Sequence, residues 1–256
     1  MLVYKIVCHR ESSDRAEEQQ IAFDLLLGAF RMNGQILDRE QTIVSLEQQM
    51  DAYISAPAND AFETKFNNEW VRKHLEGIKS AGLSEPEFTE LGKDPHEPTA
   101  CVCQISNSYL LFTTYLEIQS QVRCGNCFRP VPLYRLPRHE NDEFNDVIRW
   151  SSNYKSCDSL FMHSGTGERF GYREMSRIDS SLTREGRKIC TKIEQDTGKP
   201  TYYYLHRYYG RRLVVEEARK CPGCGREWRL SERWHNLLDF KCDGCRLLSC
   251  LSSALT

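Results

Sequence analysis

Two pairs of cysteines near the end of the chain, Cys221-Pro-Gly-Cys224 and Cys242-Asp-Gly-Cys245, are separated by 17 residues. A CxxC hook presents two thiolates from one tight turn. Two hooks together supply the four soft ligands, about 2.3 Å from the ion, that a structural Zn²⁺ takes in tetrahedral array. Pro222, Gly223, Gly225 and Gly244 suit such turns, where backbone amides crowd around sulfur and some residues need φ > 0. Cys221, Cys224, Cys242 and Cys245 are therefore expected to close a zinc ribbon over about residues 200–250.

A second set is less specific. Cys101-Val-Cys103 is followed after 20 residues by the hook Cys124-Gly-Asn-Cys127. Four thiolates would meet on a second zinc if the intervening segment folds back as a hairpin. Alternate residues of a strand share a side in any case, so Cys101 and Cys103 can equally be small buried apolar residues beside a solitary hook. Cys8, Cys157, Cys190 and Cys250 stand alone and read as core positions. Cys157 with His163, six residues on, could supply two ligands, and a buried cysteine is the plainer reading.

The elements that must carry these groups follow from periodicity. Leu2–Cys8 reads as a strand. Asp14 and Glu17 form a capping-box pattern ahead of a helical stripe, Phe23, Leu26, Leu27 and Phe30, which Asn33-Gly34 closes. Thr42–Leu46 and Met50–Ile54 read as strands, Phe62–Ser80 as a second helix ended by Gly82 and Pro86, and Tyr109–Leu116 as an aromatic, β-branched strand. Ser84–Pro98 and Leu136–Asp146 read as loops, and Thr183–Thr197 as a third helix with Thr183 as N-cap.

The order β-α-β-β-α-β is that of a ferredoxin-like sandwich, so the expected class is α+β. The expected division is an acidic split-βαβ domain over 1–120, then a zinc-stabilised region over 121–256 that ends in the ribbon.

The chain has 256 residues, with 40% hydrophobic and 27% charged, a globular composition. No apolar run approaches the roughly 18 residues of a membrane span, and Met1–Val7 is too short and too broken by Lys5 for a signal peptide. Twelve cysteines, six of them in hooks, then imply metal in a reducing, cytoplasmic setting rather than a disulfide scaffold. The net charge of −2 is unevenly spread: residues 1–100 carry 10 Lys+Arg against 18 Asp+Glu, and residues 169–256 carry 18 against 11. The first stretch repels phosphate and the second attracts it.

Thr201–Arg212 interleaves tyrosines with arginines. Tyr202, Tyr204 and Tyr208 for stacking, with Arg207, Arg211 and Arg212 on phosphates, would suit single-stranded nucleic acid. A half-buried strand with its hydroxyls in water is the plainer reading. Gly165-Thr-Gly167 lacks the Lys-Ser/Thr of a phosphate loop and reads as a turn. No nucleophile is spaced with a base and no carboxylates are paired for acid and base roles, so the chain reads as non-catalytic.

Arg123-Cys-Gly-Asn-Cys-Phe-Arg-Pro-Val-Pro-Leu-Tyr-Arg-Leu-Pro137, Cys157-Asp-Ser-Leu, Gly167-Glu-Arg-Phe-Gly171, Gly198-Lys-Pro-Thr-Tyr-Tyr-Tyr204 and the terminal cysteine set together carry a resemblance. Over most of 100–250 the chain resembles a bacterial family of unknown function, described as zinc-ribbon-containing proteins with nucleic-acid binding inferred from the ribbon. Some of its members are similar to immunity proteins of polymorphic, secretion-system toxins. The resemblance implies two partner classes. The first is a toxin protein whose active site is blocked, met by an acidic surface of Glu11, Asp14, Glu17, Glu18, Asp38 and Glu40. The alternative is nucleic acid, met by the tyrosine–arginine segment. No membrane partner is expected.

Overall fold

The computed structural model describes residues 1–12, 14–37, 40–137, 143–163, 165–210 and 212–254. The chain divides into two compact units. One holds Met1–Cys101, Ile118–Ser120 and Arg129–Asn145. The other holds Val102–Glu117, Gln121–Phe128 and Asp146–Thr256.

In the first unit the elements run β1 (Leu2–His9), α1 (Ala16–Met32), β2 (Thr42–Ser45), β3 (Gln49–Ala56), α2 (Glu69–Ser80) and β4 (Glu87–Lys93). The strands lie in the order β2-β3-β1-β4 with every neighbouring pair antiparallel. The strand that completes this sheet is Glu87–Lys93, which falls in the stretch expected to be a loop. Tyr109–Leu116, the strand expected in that role, lies outside this sheet. β4 is an edge strand that turns chiefly Phe88 toward the core and keeps Glu87, Glu90 and Lys93 exposed. Charged, short edges discourage a further strand from adding.

The alternate residues Leu2, Tyr4, Ile6 and Cys8 of β1 and Met50, Ala52, Ile54 and Ala56 of β3 meet Phe23, Leu26, Leu27 and Phe30 of α1 and Val71 and Ile78 of α2. The period-2 and period-3.6 stripes thus close on one another. α1 starts after Arg15 with no side-chain cap, because Asp14 accepts from Ser12 Oγ (2.8 Å) instead of forming the expected box. α2 begins at Glu69, later than expected, where Asn68 Oδ1 accepts the Val71 amide.

The second unit is built on a six-stranded mixed sheet in the order β6-β5-β7-β10-β9-β8. Its members are β5 (Tyr109–Leu111), β6 (Val122–Cys124), β7 (Thr201–Tyr204), β8 (Arg229–Trp234), β9 (Leu238–Cys242) and β10 (Leu247–Ser249). β7 runs parallel to both β5 and β10, and the other pairs are antiparallel. A parallel β5–β7 pair needs a crossover. It is supplied by α3 (Asn145–His163), α4 (Glu168–Ser176) and α5 (Ser181–Thr197), while α6 (Leu213–Glu217) precedes the last three strands. Ser180 rather than Thr183 caps α5, its Oγ accepting the Thr183 amide at 3.1 Å.

Strand β7 is buried on both faces, as a central parallel strand should be. Tyr202 and Tyr204 pack with Leu110, Phe112, Leu238 and Leu248 on one side. Tyr203 points to the other, against Trp150 of α3 at 5.9 Å between ring centroids, and Trp150 Nε1 donates to Leu182 O. No helix among the described residues is long and apolar enough to cross a membrane.

α5 lies this close to the sheet because residue 186 has no side chain. A Cβ on Gly186 would overlap the Tyr203 ring and sit 2.7 Å from Trp150 Nε1. Gly186→Ala should therefore destabilise the fold by about 1–3 kcal/mol through overpacking, read as a lower urea midpoint at unchanged slope. An unchanged midpoint would show that the helix does not sit on Tyr203 as described.

Candidate metal centres

Both cysteine sets come together. The ligand atoms of Cys221, Cys224, Cys242 and Cys245 all lie within 4.8 Å of one another, and those of Cys101, Cys103, Cys124 and Cys127 do the same. Cys224 Sγ and Cys242 Sγ are 3.7 Å apart. Four sulfurs at the Zn–S distance of about 2.3 Å in a tetrahedron are separated by about 3.8 Å, so the donors present fit zinc in kind, number and spacing. The second set, left open between a site and a solitary hook, is a four-cysteine cluster.

The three CxxC hooks share one backbone device. The residue after the second cysteine takes a left-handed conformation in each: Phe128 (φ 60), Gly225 (φ 72) and Arg246 (φ 52). The chain then folds back on the hook, with Phe128 N donating to Cys124 O and Gly225 N to Cys221 O, both at 2.8 Å. Only one of the three is a glycine, so this feature could not be read from residue type. Amides turn toward the sulfurs: Asn126 N lies 3.4 Å from Cys124 Sγ. Within the terminal cluster the Arg226 amide lowers the exposed Cys224 thiol, while burial raises those of Cys242 and Cys245.

Close approach fixes two glycines. Gly125 N donates to Ser108 O at 2.8 Å, and any Cβ there would strike Ser108. A Cβ on Gly223 would sit 2.8 Å from Cys245 Sγ. Within the second unit the tight β8–β9 turn, with His235 and Asn236 both at positive φ, places His235 Nε2 2.9 Å from Gly125 O and its ring over Phe128. His235 is thus a support for the Cys124–Cys127 hook, a role its sequence position did not reveal. Trp228 packs on Phe240 of β9 at 5.1 Å between ring centroids, as a small apolar sheet requires. Cys157 and Cys190 are buried, and burial pushes their thiols up, to about 11 for Cys157 and beyond the usual range for Cys190.

The nucleic-acid residues fare differently. Tyr202 is buried and donates its hydroxyl to Asp243. Tyr204 is buried with its hydroxyl 3.2 Å from Cys250 Sγ. Arg207 forks onto the buried carboxylate of Glu216. Tyr202 and Tyr204 cannot stack bases while β7 stays folded, which corrects that expectation for the two rings; Arg207 lies outside the strand, half-buried and engaged by Glu216. Tyr208 and Arg212 are exposed, and Arg211 lies outside the described residues. Of the acidic set, Glu11, Asp14, Glu17, Glu18 and Glu40 are all exposed, with Glu18 held by Arg15 at 2.5 and 2.8 Å, and Asp38 lies outside the described residues.

Comparison with known proteins gives three family matches that together span most of the chain. They are domains of unknown function DUF8589 over residues 1–92, DUF2310 over 103–206 and DUF8594 over 210–255. An uncharacterized protein of Haemophilus influenzae is 32% identical over 240 residues, covering 92% of each chain. A second from the same organism is 40% identical over 143 residues, covering 56% of this chain and 70% of its own. No solved structure matches.

Metal analysis of the purified chain should give two zinc ions per molecule, falling to one in Cys101→Ser/Cys103→Ser; a single zinc in the unaltered chain would remove the centre of Cys101, Cys103, Cys124 and Cys127. Structural zinc contributes about 10–16 kcal/mol of apparent binding energy coupled to folding. Cys221→Ser/Cys224→Ser should therefore lose one zinc and unfold the segment after about residue 200. Unchanged metal content and melting in that variant would refute the terminal centre.

Proposed function

The chain belongs to the family of these Haemophilus influenzae proteins, and we propose that it is a non-catalytic, zinc-stapled binding protein whose partner is another protein. The partner class we assign is a bacterial toxin domain, held with its active site blocked, as an immunity protein would hold it. The strand order of the first unit supports the ferredoxin-like reading, in which α1 is free to present its outer face.

One observation carries the proposal. α1 exposes an acidic and apolar stripe, Glu17, Glu18, Ile21, Asp24 and Leu25, opposite the face that packs on the sheet. Ile21 and Leu25 are 54% and 50% exposed, one turn apart, and Asp24 is fixed by Gln20 Nε2 at 2.9 Å. Single exposed apolar residues are ordinary, but a helical row of them flanked by like charge is the form of a helix that docks into a groove. Burying each side chain would contribute about 1.5–3 kcal/mol. The carboxylates would speed encounter with a basic cleft and set orientation. Toxins that act on nucleotides or nucleic acid present such clefts. The two closed four-thiolate centres supply rigidity rather than chemistry, because a zinc with four protein ligands has no position for a reacting water.

The test is co-purification with, and protection against, the toxin encoded beside its gene. Ile21→Lys/Leu25→Lys should weaken binding at least 100-fold and abolish protection, at unchanged zinc content and melting temperature. Glu17→Lys/Glu18→Lys should slow association and flatten its salt dependence. Full protection by both variants would end the assignment to this face. Titration with single-stranded and duplex oligonucleotides at low salt should be flat, whereas steeply salt-dependent binding would favour a nucleic-acid partner instead.

A further inference from the structure

Phe62 and Phe88 stack at 4.2 Å between centroids, 14° between planes, and Phe30 meets both edge-on at 5.4 and 5.9 Å. Such a ring cluster is usually sealed within a core. Here the three rings, with Leu75 of α2, form the apolar wall of a cleft of about 590 Å³ in the first unit. Phe30 is buried, but Phe62, Leu75 and Phe88 are only half-buried, so ring and methyl surface faces the opening. Clefts of roughly 300–1,000 Å³ with an apolar wall and a few converging polar groups are the size and kind that hold small ligands.

The rim is charged, and its charges are not equivalent. Lys79 is committed to Glu85 at 2.8 Å and Glu76 at 3.7 Å. Nearer the start of α2, Arg72 and Lys73 take part in no ion pair among the described residues. One Arg72 N–H donates to Asn67 O at 2.6 Å, which leaves the other donors of its fork free. The Lys73 ammonium rests 5.0 Å from the Trp70 ring centroid. Glu69 offsets one of these two cations. An uncommitted guanidinium beside an aromatic wall is the arrangement that takes a planar ring and a carboxylate together, the ring by offset stacking and the carboxylate by a forked pair of hydrogen bonds.

We propose that this cleft is a binding site for a small planar aromatic carboxylate, its ring against Phe62, Leu75 and Phe88 and its carboxylate on Arg72 and Lys73. The site uses no cysteine and none of the α1 stripe, so it stands or falls separately from the partner-binding reading.

The experiment titrates the full zinc-loaded chain with three probes of one ring and different charge: 2-naphthoate, 2-naphthalenemethanol and 2-naphthylmethylammonium, followed by amide chemical shifts. The expected result is saturable binding with shifts centred on 62–88 and with naphthoate at least tenfold tighter than the alcohol and the ammonium weakest. Arg72→Gln/Lys73→Gln, two exposed positions, should bring naphthoate to within twofold of the alcohol and leave the alcohol unchanged. Leu75→Trp should fill the cleft and remove all three. Should that variant misfold, the charge variant and the shift map decide alone. No saturable binding of naphthoate at millimolar concentration, shifts centred elsewhere, or a preference for the ammonium probe would overturn the site.

Discussion

Four thiols held within 4.8 Å of one another are the constraint on which the second unit rests. As thiolates they repel, and as thiols they are weak donors with little to gain from such proximity. A soft dication at the centre would make the arrangement favourable. Cys124 ends β6 and Cys242 ends β9, so a cysteine from each cluster terminates a strand of the same sheet. His235 on the β8–β9 turn reaches the Cys124–Cys127 hook, so the two ends of that sheet do not hold their shape independently. The short strands, several of only three residues, would be marginal without this closure.

What was legible in the residues was what the chemistry dictates by type. Thiolate number and spacing announced the terminal cluster and left the other, with its less specific CxC arm, open between a site and a solitary hook, and two stripes of opposite period announced β1, α1 and α2. The fourth strand of the first sheet was not legible, because Glu87–Lys93 lies at an edge and pairs on one side only. Its side chains answer to solvent, so acid and proline around it read as loop. Tyr109–Leu111 shows the converse: its strong β character is real but belongs to the other sheet. α3 carries its buried residues at helical spacing, Val147, Trp150, Ser151, Tyr154, Cys157, Asp158 and Phe161. Several of these are small or polar, and serines and asparagines between them hide the stripe from a reading based on hydrophobicity.

Charge has a structural use as well. Several arginines of 169–256 are tied to carboxylates within the second unit, although the surplus of 18 basic over 11 acidic residues in that stretch already counts those carboxylates. Asp239, fully buried, takes Arg229 and Arg233 and also accepts the Leu251 amide; these contacts outweigh burial and hold its carboxyl below the usual range. Glu216 takes Arg207, with Arg219 nearby and stacked on Phe240. Glu194 takes Arg246 across the turn that carries the last hook. Buried carboxylates require such partners, since removing one side of the pair leaves an uncompensated charge. The acids of α1 have no such duty toward the interior, which is why their exposed face carries the functional proposal.

The central claim, two closed four-sulfur zinc centres that hold this sheet together, is tested most directly by zinc K-edge X-ray absorption on the purified chain. The account predicts a single shell of four sulfurs at about 2.3 Å averaged over the two ions. A shell containing nitrogen or oxygen, or iron in place of zinc, would contradict it.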